Sequence, residues 1–228
     1  MELKGRLKAI AEKIPLCETL ADIGTDHAFI PLYAVQKSVC KRAIAADVKS
    51  GPVEIASGNV KRYGCEKLIE TRLGSGLEPL KECEADVIVI AGMGGILIAE
   101  IIEKSLAKAK TAKVLILQPM NMVEVLRKWL YENGFEVLDE TLAEESEKIY
   151  NILSVRWTGV PKVLESFYHY LGYELLQKQD ELFKRYALNK LGLLKKKING
   201  MQKAAAPSED LKELVDLKNR LEAILLHG

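Results

Sequence analysis

From Ala21 to Trp157 the chain alternates short apolar runs with stretches whose apolar residues recur at helical spacing. The runs are ETLADIG (18–24), RAIAADV (42–48), LIETRLG (68–74), ADVIVIAG (85–92), KVLILQP (113–119), FEVLDETL (135–142) and IYNILSVRW (149–157). Amphipathic segments around 28–39, 51–63, 95–109 and 122–133 separate them, and the opening MELKGRLKAIAEKIP has the same character. Apolar strands with a helix in each connection predict parallel βαβ units covered on both faces. The last two runs have no helix between them, which predicts an antiparallel hairpin at one sheet edge. The expected fold is α/β over residues 1–158: a Rossmann-like sheet of seven strands, mostly parallel with one antiparallel.

Trp157-Thr158-Gly159-Val160-Pro161 punctuates the chain, and strand character is lost beyond it. Leu164, Tyr168, Leu171, Leu175, Leu182, Tyr186 and Leu193 recur at spacings that place them on one helix face. Pro207 interrupts the pattern, and Ser208 can cap a second helix marked by Leu211, Leu214, Leu221, Ile224 and Leu225. Residues 159–228 are thus expected to form a coiled-coil-like α-helical hairpin.

Composition changes this picture little. The 228 residues are 48% hydrophobic and 29% charged, as in an ordinary globular protein. No run approaches the roughly 20 apolar residues of a membrane span, and the start has no signal-peptide pattern, so a cytoplasmic location and no membrane are expected. Cys17, Cys40, Cys65 and Cys83 form no CxxC pair, and with only His27, His169 and His227 in the chain no metal is expected. The net charge is +1, but residues 159–228 hold 12 Lys/Arg against 9 Asp/Glu. Within them, residues 182–208 carry Lys184, Arg185, Lys190, Lys195, Lys196, Lys197 and Lys203 and no acid. Such a stretch is either a phosphate-binding surface or a solvated helix face.

Candidate chemistry collects where strands end, as it does in open α/β sheets. After the first run come Asp22, Gly24, Asp26 and His27. Gly24 permits a tight turn and close approach to a ligand. The acids exclude the GxGxxG dinucleotide fingerprint and would repel a pyrophosphate; they suit a ligand bearing an amino group and a sulfonium, such as S-adenosylmethionine. Asp47, followed by Val48, lies about 25 residues after Asp22, near the position where an acid accepts hydrogen bonds from a ribose diol. Gly74-Ser75-Gly76-Leu77 can lie flat against an adenine, though a simple turn needs no more. Ala91-Gly92-Met93-Gly94 leaves the backbone nearly bare after a buried strand. Gln118 and Asn121 offer amides suited to a nucleobase edge.

Together DIGTDHAFIP, AADVKSGP, LGSGL, IAGMGG, LILQPM and LRKWLYENGF…EKIYNI resemble, in order, a bacterial tRNA methyltransferase family that methylates ring N1 of adenine 22. The helical tail looks like that family's as well. The resemblance implies a class I methyltransferase sheet, S-adenosylmethionine as cofactor and tRNA as partner. It places Asp22, Gly24, Asp47 and the 74–77 loop around the cofactor, and Asp26, His27 and Gly92 to Gly94 at the border of the reacting centre. Beside it, Val48 and Ala91-Gly92-Met93-Gly94 are candidate cofactor contacts, and Gln118 is a candidate to assist Asp26 and His27 in orienting the base. Phe29, Ser75 and Met120 depart from the residues usual in that family, so no hydroxyl role is carried to 29 and no cofactor hydrogen bond to 75. Lys184, Arg185, Lys190, Lys195, Lys196 and Lys197 are the expected RNA contacts, and a monomer is expected. A methyltransferase acting on another nucleobase, a protein or a small molecule is an alternative, as is a non-catalytic nucleotide- or RNA-binding module.

Overall fold

A computed structural model describes residues 1–203 and 209–227. The chain divides into two compact units, Met1–Val163 and Leu164–Gly228. In the first, seven strands are β1 (Cys17–Ile23), β2 (Cys40–Asp47), β3 (Ile69–Leu73), β4 (Val87–Met93), β5 (Val114–Pro119), β6 (Phe135–Glu145) and β7 (Lys148–Trp157). They line up in the order β3-β2-β1-β4-β5-β7-β6. All neighbours are parallel except where β7 inserts between β5 and β6, antiparallel to both. This is the predicted sheet, and β4 shows why the prediction is straightforward: Val87, Ile88, Val89 and Ile90 are all buried, so the strand reads as a continuous apolar run.

The helices of this unit are α1 (Gly5–Glu12), α2 (Phe29–Gln36), α3 (Ser50–Arg62), α4 (Gly95–Lys104), α5 (Leu106–Thr111) and α6 (Val123–Glu132). The single helix expected over 95–109 divides at Ser105, whose φ of −129° and ψ of 39° leave the helical region. Residues 159–163 stay with this unit rather than the next: Gly159 and Lys162 donate backbone hydrogen bonds to Gly134 and Tyr131.

The second unit holds α7 (Ser166–Leu171), α8 (Tyr173–Lys178), α9 (Phe183–Lys203) and α10 (Glu209–His227). Its first arm is broken where a continuous helix was expected. Gly172 sits at φ 97° and Gln179 at φ 45°, and Asp180 Oδ1 accepts from Leu182 N to start α9. Each break resets the helical phase, so Leu193 is 59% exposed while Leu191 and Leu194 are buried. α9 and α10 pair as a hairpin, burying Leu191, Leu194 and Ile198 on one and Leu217 and Leu221 on the other. The expected break at Pro207 and cap at Ser208 lie outside the described residues. Among the described residues no helix is long and apolar enough to cross a membrane.

Under the β6–β7 edge a charge pair is enclosed. Arg127 of α6 and Glu140 of β6 are each 1% exposed. Glu140 accepts from Arg127 Nε at 3.1 Å, Arg127 Nη2 at 2.6 Å and Asn151 Nδ2 at 2.8 Å. Removing one charge strands the other without water. Glu140→Gln is therefore expected to cost about 3–5 kcal/mol in urea unfolding, and a double replacement by apolar residues of similar volume to recover most of it.

Candidate active site

β1 and β4 lie side by side, but the connection after β1 leads to β2 on one side and that after β4 leads to β5 on the other. At such a switch point the two crossovers part, and a crevice opens beyond the carboxyl ends of the strands. Two cavities occupy it and meet at Gly24. One, of about 260 Å³, is lined by Arg6, Asp22, Thr25, Asp26, His27, Phe29, Ala91 and Gly92 among others. The other, of about 160 Å³, is lined by Asp47, Val48, Gly74, Ser75, Gly76, Leu77, Met93 and residues of α4. Neither alone reaches the roughly 300 Å³ of an ordinary small-molecule site, whereas joined they do.

The first cavity has a buried acid at its floor. Asp22 is 4% exposed, and Thr25 is 8% exposed beside it. Burial, with a smaller push from the Asp26 charge, raises the Asp22 carboxyl to about 7 against the pull of a hydrogen bond from Thr25. The same Thr25 hydroxyl accepts from Ala28 N at 3.0 Å, which folds the 25–28 turn. Asp26 stands at the rim with a side chain 72% exposed, its Oδ2 3.5 Å from His27 Nε2. The His27 ring stacks on Phe29 with centroids 5.0 Å apart. In the second cavity, Asp47 Oδ1 accepts from Lys49 N at 2.8 Å.

The β4–α4 turn is built by two glycines used differently. Gly92, at φ 79°, is the extra residue where the β4–β5 register shifts between Ala91 and Met93. This is a bulge of the kind that places glycine in the left-handed region. Its N–H is taken by Gln118 Oε1 at 3.1 Å. Gly95 is there for space: a Cβ would stand 2.4 Å from the Met122 carbonyl, so a side chain would push the α4 and α6 turns apart.

A family described as a methyltransferase domain matches residues 3–153. The tRNA (adenine(22)-N(1))-methyltransferase of Bacillus subtilis is 34% identical over 100% of this chain and 99% of its own. The crystal structure of the B. subtilis m1A22 tRNA methyltransferase superposes with a TM-score of 0.87 at 34% identity, covering 98% of this chain and 99% of that one. The chain belongs to the tRNA (adenine-22-N1)-methyltransferase family. A candidate tRNA (m1A22) methyltransferase of Streptococcus pneumoniae, solved with S-adenosyl-L-methionine, superposes with a TM-score of 0.84 at 33% identity, covering 96% of this chain and 98% of that one.

In this methyltransferase the structure gathers most of the residues singled out from sequence. Asp22, Gly24, Asp26, His27, Ala91 and Gly92 share the first cavity, and Asp47, Val48, Gly74 to Leu77 and Met93 the second. Two do not line either one. Gly94 lies against the Asn121 side chain instead. Gln118 is fully buried: its Oε1 accepts from Arg6 Nη1 and Gly92 N, and its Nε2 donates to the Pro119 carbonyl at 2.8 Å. Its amide therefore does not present itself to a nucleobase edge, contrary to the expectation from its place at the end of β5. The basic residues of α9 are in the second unit. There Lys195 pairs with Glu222 at 2.8 Å, and Lys190 Nζ lies 4.4 Å from the Tyr170 ring centroid.

Sequence reading missed Arg6. It reaches from α1 into the first cavity, its side chain 20% exposed, pairs with Glu145 at 3.4 Å and faces the Tyr150 ring. Nothing in MELKGRLKAI separates it from the solvated basic residues around it. Thr25 lies inside the 22–27 motif, and only the folded turn shows its hydroxyl accepting from Ala28 N. Among the described residues no group of three or more His, Cys, Asp or Glu could hold a metal ion.

The raised Asp22 carboxyl carries a sign. Between the ordinary aspartate range near 4 and about 7, the native state holds a proton that the unfolded chain has released. Its contribution to stability therefore falls as pH rises across that window and is flat above it. Asp22→Asn is expected to remove this slope, gaining on the order of 1–4 kcal/mol over wild type above about pH 7. Unfolding midpoints of both proteins across pH check it, since other titrating groups cancel in the difference.

Proposed function

We propose that this protein transfers a methyl group from S-adenosylmethionine to ring N1 of adenine 22 in tRNA. The observation that carries the reading is the cleft divided at Gly24, with Asp47 on one side and Asp22, Asp26 and Arg6 on the other. The end-to-end likeness to the B. subtilis enzyme supports the specific reaction.

The residues present suit that cofactor. Asp47 keeps a carboxylate oxygen for a ribose hydroxyl, and the 74–77 loop with Leu97 gives an apolar wall for an adenine. Asp22 is a buried acid in need of positive charge, and Arg6 is a cation lining the same cavity. An acid and a guanidinium in one cavity match the ammonium and carboxylate of an amino-acid group. When bound, the cofactor supplies an electrophilic methyl on a positively charged sulfur.

Adenine N1 has an in-plane lone pair and no proton at neutral pH, so no general base is needed before attack. The task left to the protein is alignment and exclusion of water. Asp26, exposed at the rim, accepts from the exocyclic amino group and so fixes the Watson–Crick edge. The same carboxylate then stabilises the cationic methyladenine product. His27, braced on Phe29, stands beside it as a flat surface for the base. Gln118 is a positioning residue: it holds Gly92 N–H and Arg6 rather than the substrate. N1 is hidden in a paired base, so the target must be extruded at a cost of a few kcal/mol. Contacts to the RNA backbone offset that cost. Lys184, Lys196 and Lys197 are exposed on α9 and suit that role, whereas Lys190 lies against the Tyr170 ring and Lys195 pairs with Glu222.

Purified protein incubated with isotope-labelled S-adenosylmethionine and unmodified tRNA should place label in 1-methyladenosine at position 22. Asp26→Asn should lose about 100-fold in turnover with cofactor affinity nearly kept. Label on another nucleoside would redirect the substrate assignment, and full turnover by the variant would remove Asp26 from it. Reversing Lys196 and Lys197 to Glu should weaken tRNA binding and flatten its dependence on log salt by about 1 per lost phosphate contact. Filter binding across a salt series measures both effects.

A further inference from the structure

Cys17 and Cys40 are the first residues of β1 and β2 and stand directly opposite each other in the parallel ladder. Parallel neighbours lie about 4.8 Å apart with their side chains on one face, inside the roughly 4.4–6.8 Å Cα separation that a disulfide spans. We propose that Cys17 and Cys40 form a thiol pair that hydroperoxides oxidise reversibly to a disulfide, Cys17 reacting first and Cys40 resolving it. Position in the ladder supports this. Cys17↔Cys40 is the first pair of the β1–β2 ladder, so closing it acts at the end of the two strands and not in their middle.

The two sulfurs also differ in the way the roles require. Cys17 is partly exposed and Cys40 is buried. The adjacent Cys40 thiol, with nearby Lys113, holds the Cys17 thiol below its ordinary range against burial, Asp86 and Glu18. The Cys17 sulfur and burial push the Cys40 thiol upward, keeping its proton until the partner is oxidised. Thiolate character and access are what select one cysteine over others for attack on a peroxide.

The chemistry closes without a further reactant. The Cys17 thiolate attacks hydrogen peroxide, forming an S–O bond as the O–O bond breaks, and the released hydroxide takes a proton to become water. Cys40 sulfur then attacks the sulfenic acid, forming the S–S bond and expelling the oxygen as a second water with the Cys40 proton. Two thiols are oxidised and one peroxide is reduced. The pair lies at the opposite ends of β1 and β2 from Asp22 and Asp47, so closing it leaves the cofactor residues in place. The disulfide spares Cys17 from further oxidation to sulfinic acid, which thiols do not reverse.

Native full-length protein treated with hydrogen peroxide, alkylated with N-ethylmaleimide and mapped by mass spectrometry should lose Cys17 and Cys40 together from the alkylated pool. A linked Cys17–Cys40 peptide should replace them and revert with dithiothreitol. Cys40→Ala should leave Cys17 as a dimedone-trapped sulfenic acid. Should that variant fail to fold, Cys17→Ser should keep Cys40 reduced at the same dose. The proposal is overturned if Cys17 stays alkylatable, if it becomes sulfinic acid while Cys40 remains reduced, if it links two chains instead, or if Cys40 oxidises without Cys17.

Discussion

The site depends on a single topological constraint: β1 and β4 are hydrogen-bonded neighbours whose onward connections leave in opposite directions. Parallel strands need long crossovers, and a right-handed crossover after each strand puts the two helices on different faces of the sheet. The space between them has no chain to fill it. Every candidate group then inherits its place from the strand end that carries it. Gly24 and Gly92 turn the two chains away at the same φ of 79°. Asp22 is carried on β1 just before the turn, and Asp47 sits one strand further out. A change of one residue in the register of β1 would move Asp22 to the other face of the sheet.

Burying Asp22 in that gap works against the apo protein and for the bound one. Isolated from water, with Asp26 as its neighbouring charge, the carboxyl holds its proton up to about 7. A cationic ligand reverses the balance, because it favours the charged form that burial disfavours. The site is thus matched to positive charge before any ligand arrives. Arg6 lines the same cavity, with its guanidinium held in place by Gln118 and Glu145. Gln118 in turn holds the N–H that the Gly92 bulge frees from the ladder. Bulge, amide and guanidinium form one chain of hydrogen bonds from β4 through β5 to α1.

How much of a feature is legible in the sequence depends on the range of the interaction that sets it. Strand and helix order is written in local periodicity, and the acids and glycines at strand ends are visible because each strand ends within a few residues of them. Arg6 was invisible because its partners are 112 and 139 residues away, on elements whose approach only the fold decides. Gln118 was visible but misread, because its position says that it ends a strand and not that Gly92 will claim its oxygen. In the second unit, a stripe counted through Gly172 and Gln179 assumed one helix where there are three. The phase error put exposed Leu193 on the buried face.

The turns that lead into α2 and α6 each carry a backbone cost. Ala28 before α2 and Met122 before α6 both adopt left-handed backbone, at φ 56° and 52°, where a residue with a Cβ is disfavoured by roughly 1–2 kcal/mol. Neither residue is glycine, so flexibility is not what the turns need. At Ala28 the opposing force is identifiable: Thr25 Oγ1 accepts the Ala28 N–H, and the Ala28 carbonyl accepts from Leu32. The same Thr25 hydroxyl pulls the Asp22 carboxyl downward against burial, so the group that offsets the backbone strain is the one that lowers the acid's proton affinity. The turn and the charge are coupled through that hydroxyl. A substitution at Thr25 would disturb the direction of Asp26 and the ionisation of Asp22 together, and the two effects would not add as they would for distant sites.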